Sequence, residues 1–110
     1  MHEGPVSISK RGQIGLKKGH ILSNEPGYYE EGQFGIRHET LVHVAAAHEG
    51  YLKFETLTCF PFDRQLIDKG YLSSEHIAWL NAYHHSVYER LAPHLETDVK
   101  LWLADRCAPL

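Results

Sequence analysis

Glu25 and Glu39 stand equidistant from Gly32, each beside a stretch of strand-forming residues. If the chain folds back about Gly32, antiparallel pairing sets the two carboxylates opposite one another, with Cβ atoms about 5 Å apart. Carboxylates facing each other on a largely apolar sheet repel, and the pairing persists at low cost only with a proton or a cation between them. A divalent metal meets that need. The alternative is a register displaced by a residue or two, which leaves both acids as solvated strand residues beside Arg37.

Side chains alternate along an extended strand, so Arg37, Glu39, Leu41 and His43 share one face while Ile36, His38, Thr40 and Val42 share the other. His43 lies four positions beyond Glu39, about 13 Å along a strand, too far to join the same metal site. Nine histidines in the chain invite a metal hypothesis, since neutral imidazole is a common ligand. Their spacing argues against it. His84 and His85 are adjacent on a helical stretch and point about 100° apart, and they read, with His48, His76 and His94, as surface or core-edge residues. His20 and His43 read as strand-edge residues. Glu55 either braces the acidic pair from the next strand or is exposed.

The elements that must position this pair follow from turn signals and periodicity. His20 to Glu25 reads as a strand stopped by Pro26-Gly27, Glu30 to Gly35 as a hairpin connection, and Ile36 to Ala46 as one long strand. Glu49-Gly50 turns the chain into a strand from Tyr51 to Phe60, ended by Pro61. Val6 to Ser9 reads as a short extended run. From Ser73 the period changes: Leu80, Tyr83, Val87 and Leu91 predict a helix of about five turns, capped by Ser73 with Glu75 in its first turn and ending near Pro93. Val99, Trp102 and Leu103 mark a second, shorter helix that Thr97 is placed to cap. Trp79 and Trp102 read as packing anchors. The fold class is α+β, antiparallel or mixed strands followed by two C-terminal helices that cover a sheet. Residues 1–110 read as one domain, strand-rich over 1–70 and helical over 71–110.

Composition narrows the function. A chain of 110 residues with 43% hydrophobic content suits one modest domain. A formal net charge of −3 gives no basic stripe for nucleic acid or anionic lipid. No apolar run approaches the roughly 18 residues of a membrane span, and no signal peptide opens the sequence. The two cysteines, Cys59 and Cys107, suggest reduced thiols of a cytoplasmic protein.

The stretch Asn24-Glu25-Pro26-Gly27-Tyr28-Tyr29-Glu30, followed by Phe34-Gly35-Ile36-Arg37-His38-Glu39, resembles the metal-binding signature of the Xaa-Pro aminopeptidases (aminopeptidase P) in the pita-bread metallopeptidase superfamily. His2-Glu3-Gly4-Pro5 is similar to the segment before it. The resemblance continues through Phe54-Glu55-Thr56-Leu57-Thr58, Pro61, Trp79 to His84 and Trp102-Leu103, and so covers essentially the whole chain.

The resemblance implies the C-terminal half of a pita-bread fold, a partial domain, and a site with two divalent ions: manganese first, with zinc or cobalt as alternatives. Glu25 would ligate one ion and Glu39 bridge both. His2 would be catalytic and contact the substrate, Arg37 would brace the metal-site carboxylates, and Tyr29 would line the substrate cleft. His38 and Thr40 depart from the family's usual residues and read as packing variants. Paired ions lower the pKa of a shared water until it can attack the carbonyl before proline, and His2 would offset charge on the carbonyl oxygen. The implied partner is a peptide with proline at its second position. Proline has no N–H to donate there, so a cleft shaped for its ring must do much of the selecting.

The family's two aspartates and metal histidine belong upstream of His2, so these 110 residues by themselves are expected to be inactive. Uncovered strand edges predict a homodimer or association with the other half. The competing readings are a non-catalytic structural or oligomerisation module that keeps the fold, and part of a prolidase.

Overall fold

The computed structural model describes residues 4–110. By contact density the chain divides into two compact units, Met1–Thr58 and Cys59–Leu110. The first holds all five strands and the second both α-helices, in the α+β order expected.

In the first unit, β1 (Ile21–Asn24), β4 (Thr40–Ala46) and β5 (Leu52–Thr56) form an antiparallel sheet in the order β1-β4-β5, and β2 (Gly27–Glu30) pairs with β3 (Phe34–Arg37) as a two-stranded ribbon. Alternation decides the core: Leu22, Val42 and Val44 are buried on one face, with Val6 and Leu16 packed against them. Thr40 is buried on that face too, while Leu41 points the other way and is exposed. Gly32 turns the hairpin at a left-handed φ of 71°. The long strand predicted over Ile36–Ala46 is interrupted at His38-Glu39, and Val6–Ser9 is irregular rather than a strand.

In the second unit, α1 (Ser74–Leu91) starts where predicted. The Ser73 side chain accepts from the His76 N–H, and the His76 side chain in turn accepts from the Ser73 N–H, a reciprocal capping box. Helix α2 spans Thr97–Arg106, but Thr97 is its first helical residue rather than its cap; Glu96 occupies the N-cap with no side-chain bond. Val87, Leu103 and Cys107 form the core, lined by Tyr83, Tyr88, Leu91, Leu95 and Cys59. Trp79 and Trp102 are about half exposed: Trp79 stacks on Tyr83 at 5.6 Å between ring centroids and Trp102 lies 6.3 Å from Phe60. Both cysteines are free.

His84 corrects the sequence reading. It is fully buried, its Nε2 accepting from the Phe62 N–H at 3.2 Å. Burial, reinforced by the charge of Arg64, holds its imidazole below the ordinary pKa. Neutral imidazole with Nε2 as acceptor carries its proton on Nδ1.

Candidate metal centre

Two ladders share one register around the acidic pair. Asn24 pairs with Thr40 in β1–β4 and Gly27 pairs with Arg37 in β2–β3. Between them the His38 N–H donates to the Pro26 carbonyl at 3.3 Å. Glu25 therefore falls opposite Glu39, as a fold-back about Gly32 requires, and the displaced register is excluded. Pro26 has no N–H to give, so regular pairing lapses there. The two carboxylates stand at the interruption, Glu25 held there by Arg37.

Glu25 and Glu39 line one cleft of about 990 Å³, together with the Gly4–Ser9 segment, β1 residues and Leu41. Arg37 lies behind Glu25. Its guanidinium donates to Glu25 Oε2 at 2.7 Å and, through Nε, to the Tyr29 hydroxyl at 2.6 Å. It also sits over the Tyr29 ring, 5.5 Å from the centroid. The hydrogen bond and electrostatic interaction with Tyr29 hold the guanidinium above its ordinary pKa; desolvation opposes them, and Glu25 and then Glu39 add less than either. One arginine thus answers electrostatically to both carboxylates and bonds one of them.

The remaining residues singled out in the sequence fall as follows. His2 lies outside the described residues. Tyr29 sits on the ribbon, joined to Glu25 through Arg37, and is not among the residues lining the cleft. Glu55 bonds His43 Nε2 at 2.9 Å and Lys53 Nζ at 2.7 Å. Lys53, then His43, hold its carboxyl below the usual carboxylate range. Among the described residues no group of three or more His, Cys, Asp or Glu converges on a point that could hold a metal. Two oxygen donors in one cleft fit a hard divalent ion as part of a ligand set, and further ligands would have to come from outside this group.

The sequence reads Pro26-Gly27 as a strand stop and Glu30 to Gly35 as a hairpin connection, but Gly27 opens β2 and Gly35 lies within β3. The ring of Tyr29 lies across both: a Cβ built on Gly35 would come 2.6 Å from Tyr29 Cδ1, and one on Gly27 would come 2.8 Å from the Tyr29 hydroxyl oxygen. A glycine inside a strand pattern often marks such a close approach, so the signal was present.

Two carboxylates line one cleft, one of them bonded to Arg37, and carboxylate oxygens are donors of the kind that hold hard divalent ions. Comparison with known proteins gives the family. The C-terminal region of peptidase M24 matches residues 50–110 and metallopeptidase family M24 matches residues 1–46. The chain belongs to metallopeptidase family M24.

Aminopeptidase P2 of Arabidopsis thaliana is 44% identical over an alignment covering 100% of this chain and 17% of its own length. A protein named probable Xaa-Pro aminopeptidase P from Coprinopsis cinerea is 38% identical, with 100% and 20% covered. The crystal structure of an X-prolyl aminopeptidase from Caenorhabditis elegans, described as a cytosolic enzyme with a di-nuclear active site, matches with a TM-score of 0.83 at 36% identity, over 99% of this chain and 19% of that one. The α+β fold is therefore the pita-bread segment that the sequence implied. The chain spans 17% and 20% of the length of these two curated relatives.

Proposed function

We propose that this chain is the part of a metal-dependent Xaa-Pro aminopeptidase that supplies two carboxylates of its dinuclear site, in an enzyme that hydrolyses the bond between an N-terminal residue and a following proline. The observation that carries this reading is the placement of Glu25 and Glu39 opposite one another on one cleft, with Arg37 bonded to Glu25. Glu25 would ligate one ion and Glu39 bridge the two. Arg37 would orient Glu25, Tyr29 would hold Arg37, and His2 would contact the substrate carbonyl; the cleft-lining role that the resemblance implies for Tyr29 is not proposed, because Tyr29 lies outside the residues that line the cleft. The bound ions supply a water nucleophile at neutral pH. Manganese is the first choice because oxygen donors suit hard ions, with zinc or cobalt as the alternatives. A cytoplasmic setting is supported by the description of the Caenorhabditis elegans enzyme as cytosolic. Self-association as a homodimer, or association with the remainder of the catalytic domain, is part of the same reading.

Calorimetric titration with Mn(II) tests it. The chain binds the ion weakly, and Glu25→Ala and Glu39→Ala each remove the binding. These 110 residues by themselves release no N-terminal residue from an Xaa-Pro peptide with Mn(II) added. Turnover dependent on Glu25 would contradict that expectation, and no metal response in any variant would favour a purely structural module.

A further inference from the structure

The ribbon β2–β3 places large residues against absent ones. Tyr29 pairs with Gly35 and Arg37 pairs with Gly27, so the two large side chains lie diagonally across the ladder and each faces a glycine. Cross-strand partners share a face, and so do alternate residues of one strand. Tyr29, Arg37 and both glycines therefore lie on the same side. The Tyr29 ring occupies the space two side chains would fill: a Cβ on Gly35 would meet Cδ1 at 2.6 Å and Cε1 at 2.9 Å, and a Cβ on Gly27 would meet the hydroxyl oxygen at 2.8 Å and Cε2 at 3.0 Å. Real Cβ atoms do not approach ring carbons this closely, so any side chain at Gly35 lifts the ring from the base and one at Gly27 pushes its outer end away.

The position of that ring matters because of what rests on it. Arg37 lies over its face and donates Nε–H to its hydroxyl at 2.6 Å, and the same guanidinium donates to Glu25 Oε2 at 2.7 Å. A planar guanidinium fixes both bonds at once, so turning one end turns the other. We propose that Gly35, assisted by Gly27, is a positioning residue for Glu25: its missing side chain seats Tyr29 flat on the ribbon, Tyr29 aims Arg37, and Arg37 fixes the Glu25 carboxylate toward the cleft. The part concerning metal rests on Glu25 being a ligand, as argued above; the seating of Tyr29 and Arg37 does not.

The test separates the two. In the 15N-labelled chain the Arg37 Nε–H resonance, assigned by its loss in Arg37→Lys, exchanges slowly with solvent. In Gly35→Ala it moves to the position of free arginine and exchanges several-fold faster, while the amides of β1 and β4 keep their shifts. Gly27→Ala, whose Cβ meets the hydroxyl end of the ring where the Arg37 Nε–H is accepted, moves the same resonance too; it serves as the second variant should Gly35→Ala disrupt the sheet. In a Tyr29→Ala background there is no ring to displace, and adding Gly35→Ala changes nothing further. Mn(II) affinity falls in Gly35→Ala and is indifferent to that change in the Tyr29→Ala background. An Arg37 Nε–H unmoved by both glycine substitutions overturns the proposal, as does an equal loss of Mn(II) affinity with and without the Tyr29 ring. If the unsubstituted chain binds no Mn(II), the metal assignment fails alone and the Arg37 resonance still decides the role of Gly35.

Discussion

At the residue scale, the side chain that the sequence hid best is His84. Leu80, His84, Val87 and Leu91 recur at helical spacing, so the histidine sits on the apolar stripe of α1. Residue type points to the surface and position to the interior, and position wins: the Phe62 N–H satisfies Nε2, while the buried Nδ1 is left without a hydrogen-bond partner. The consequence is a dependence on pH. The folded chain holds His84 below its ordinary pKa, so below about 6.5 the unfolded chain binds a proton that the folded chain resists. Stability is full above that range and declines as pH falls through it, until the folded pKa is reached. Urea unfolding of the whole chain from about pH 7 down to about pH 5 should show this decline. His84→Gln should be less stable at neutral pH but flatter across the window, and an undiminished slope in that variant would place the acid sensitivity elsewhere.

At the scale of elements, turns and register were legible while interruptions were not. Gly32 and Pro26-Gly27 announce the hairpin and its end, and the pairing of Glu25 with Glu39 follows from their symmetry about Gly32. The break between β3 and β4 was missed because its cause lies on the other strand: Pro26 denies the ladder a donor opposite His38, which a reading of residues 36–46 alone does not reveal. Thr97 was assigned as a cap on residue type, and Glu96 stands there instead.

The turn between β4 and β5 carries a local conflict that gives a clean test of element stability. Glu49 and Gly50 both have left-handed φ, 51° and 80°, and the Tyr51 N–H closes the turn on the His48 carbonyl at 3.0 Å. Two consecutive positive φ values suit Asn-Gly and strain a glutamate. Glu49→Asn should raise stability by about 1 kcal/mol with the fold unchanged, read as a higher urea midpoint at constant slope. A lower midpoint would mean the glutamate makes a compensating contact.

At the scale of the whole molecule, the limiting quantity is apolar surface left in water. Among the described residues the core of the first unit is Leu22, Val42 and Val44, and the face they occupy continues onto β5, where Phe54 pairs with Val44 yet remains 49% exposed. Burying a side chain of that size is worth about 1.5–3 kcal/mol relative to leaving it exposed. Strands β1 and β5 are the edges of the three-stranded sheet, the positions where a further strand could pair. Lys53 and Glu55 place charge on the opposite face of β5 and do nothing to cover Phe54. An apolar face beside an open edge is a template for another chain, so sedimentation velocity should show association that grows with concentration. Phe54→Lys puts a charge into the uncovered face and should shift the chain toward monomer without unfolding the sheet. A compact monomer at every concentration would mean that the exposed face of β5 tolerates water as it stands, and the expected homodimer would lose its physical basis.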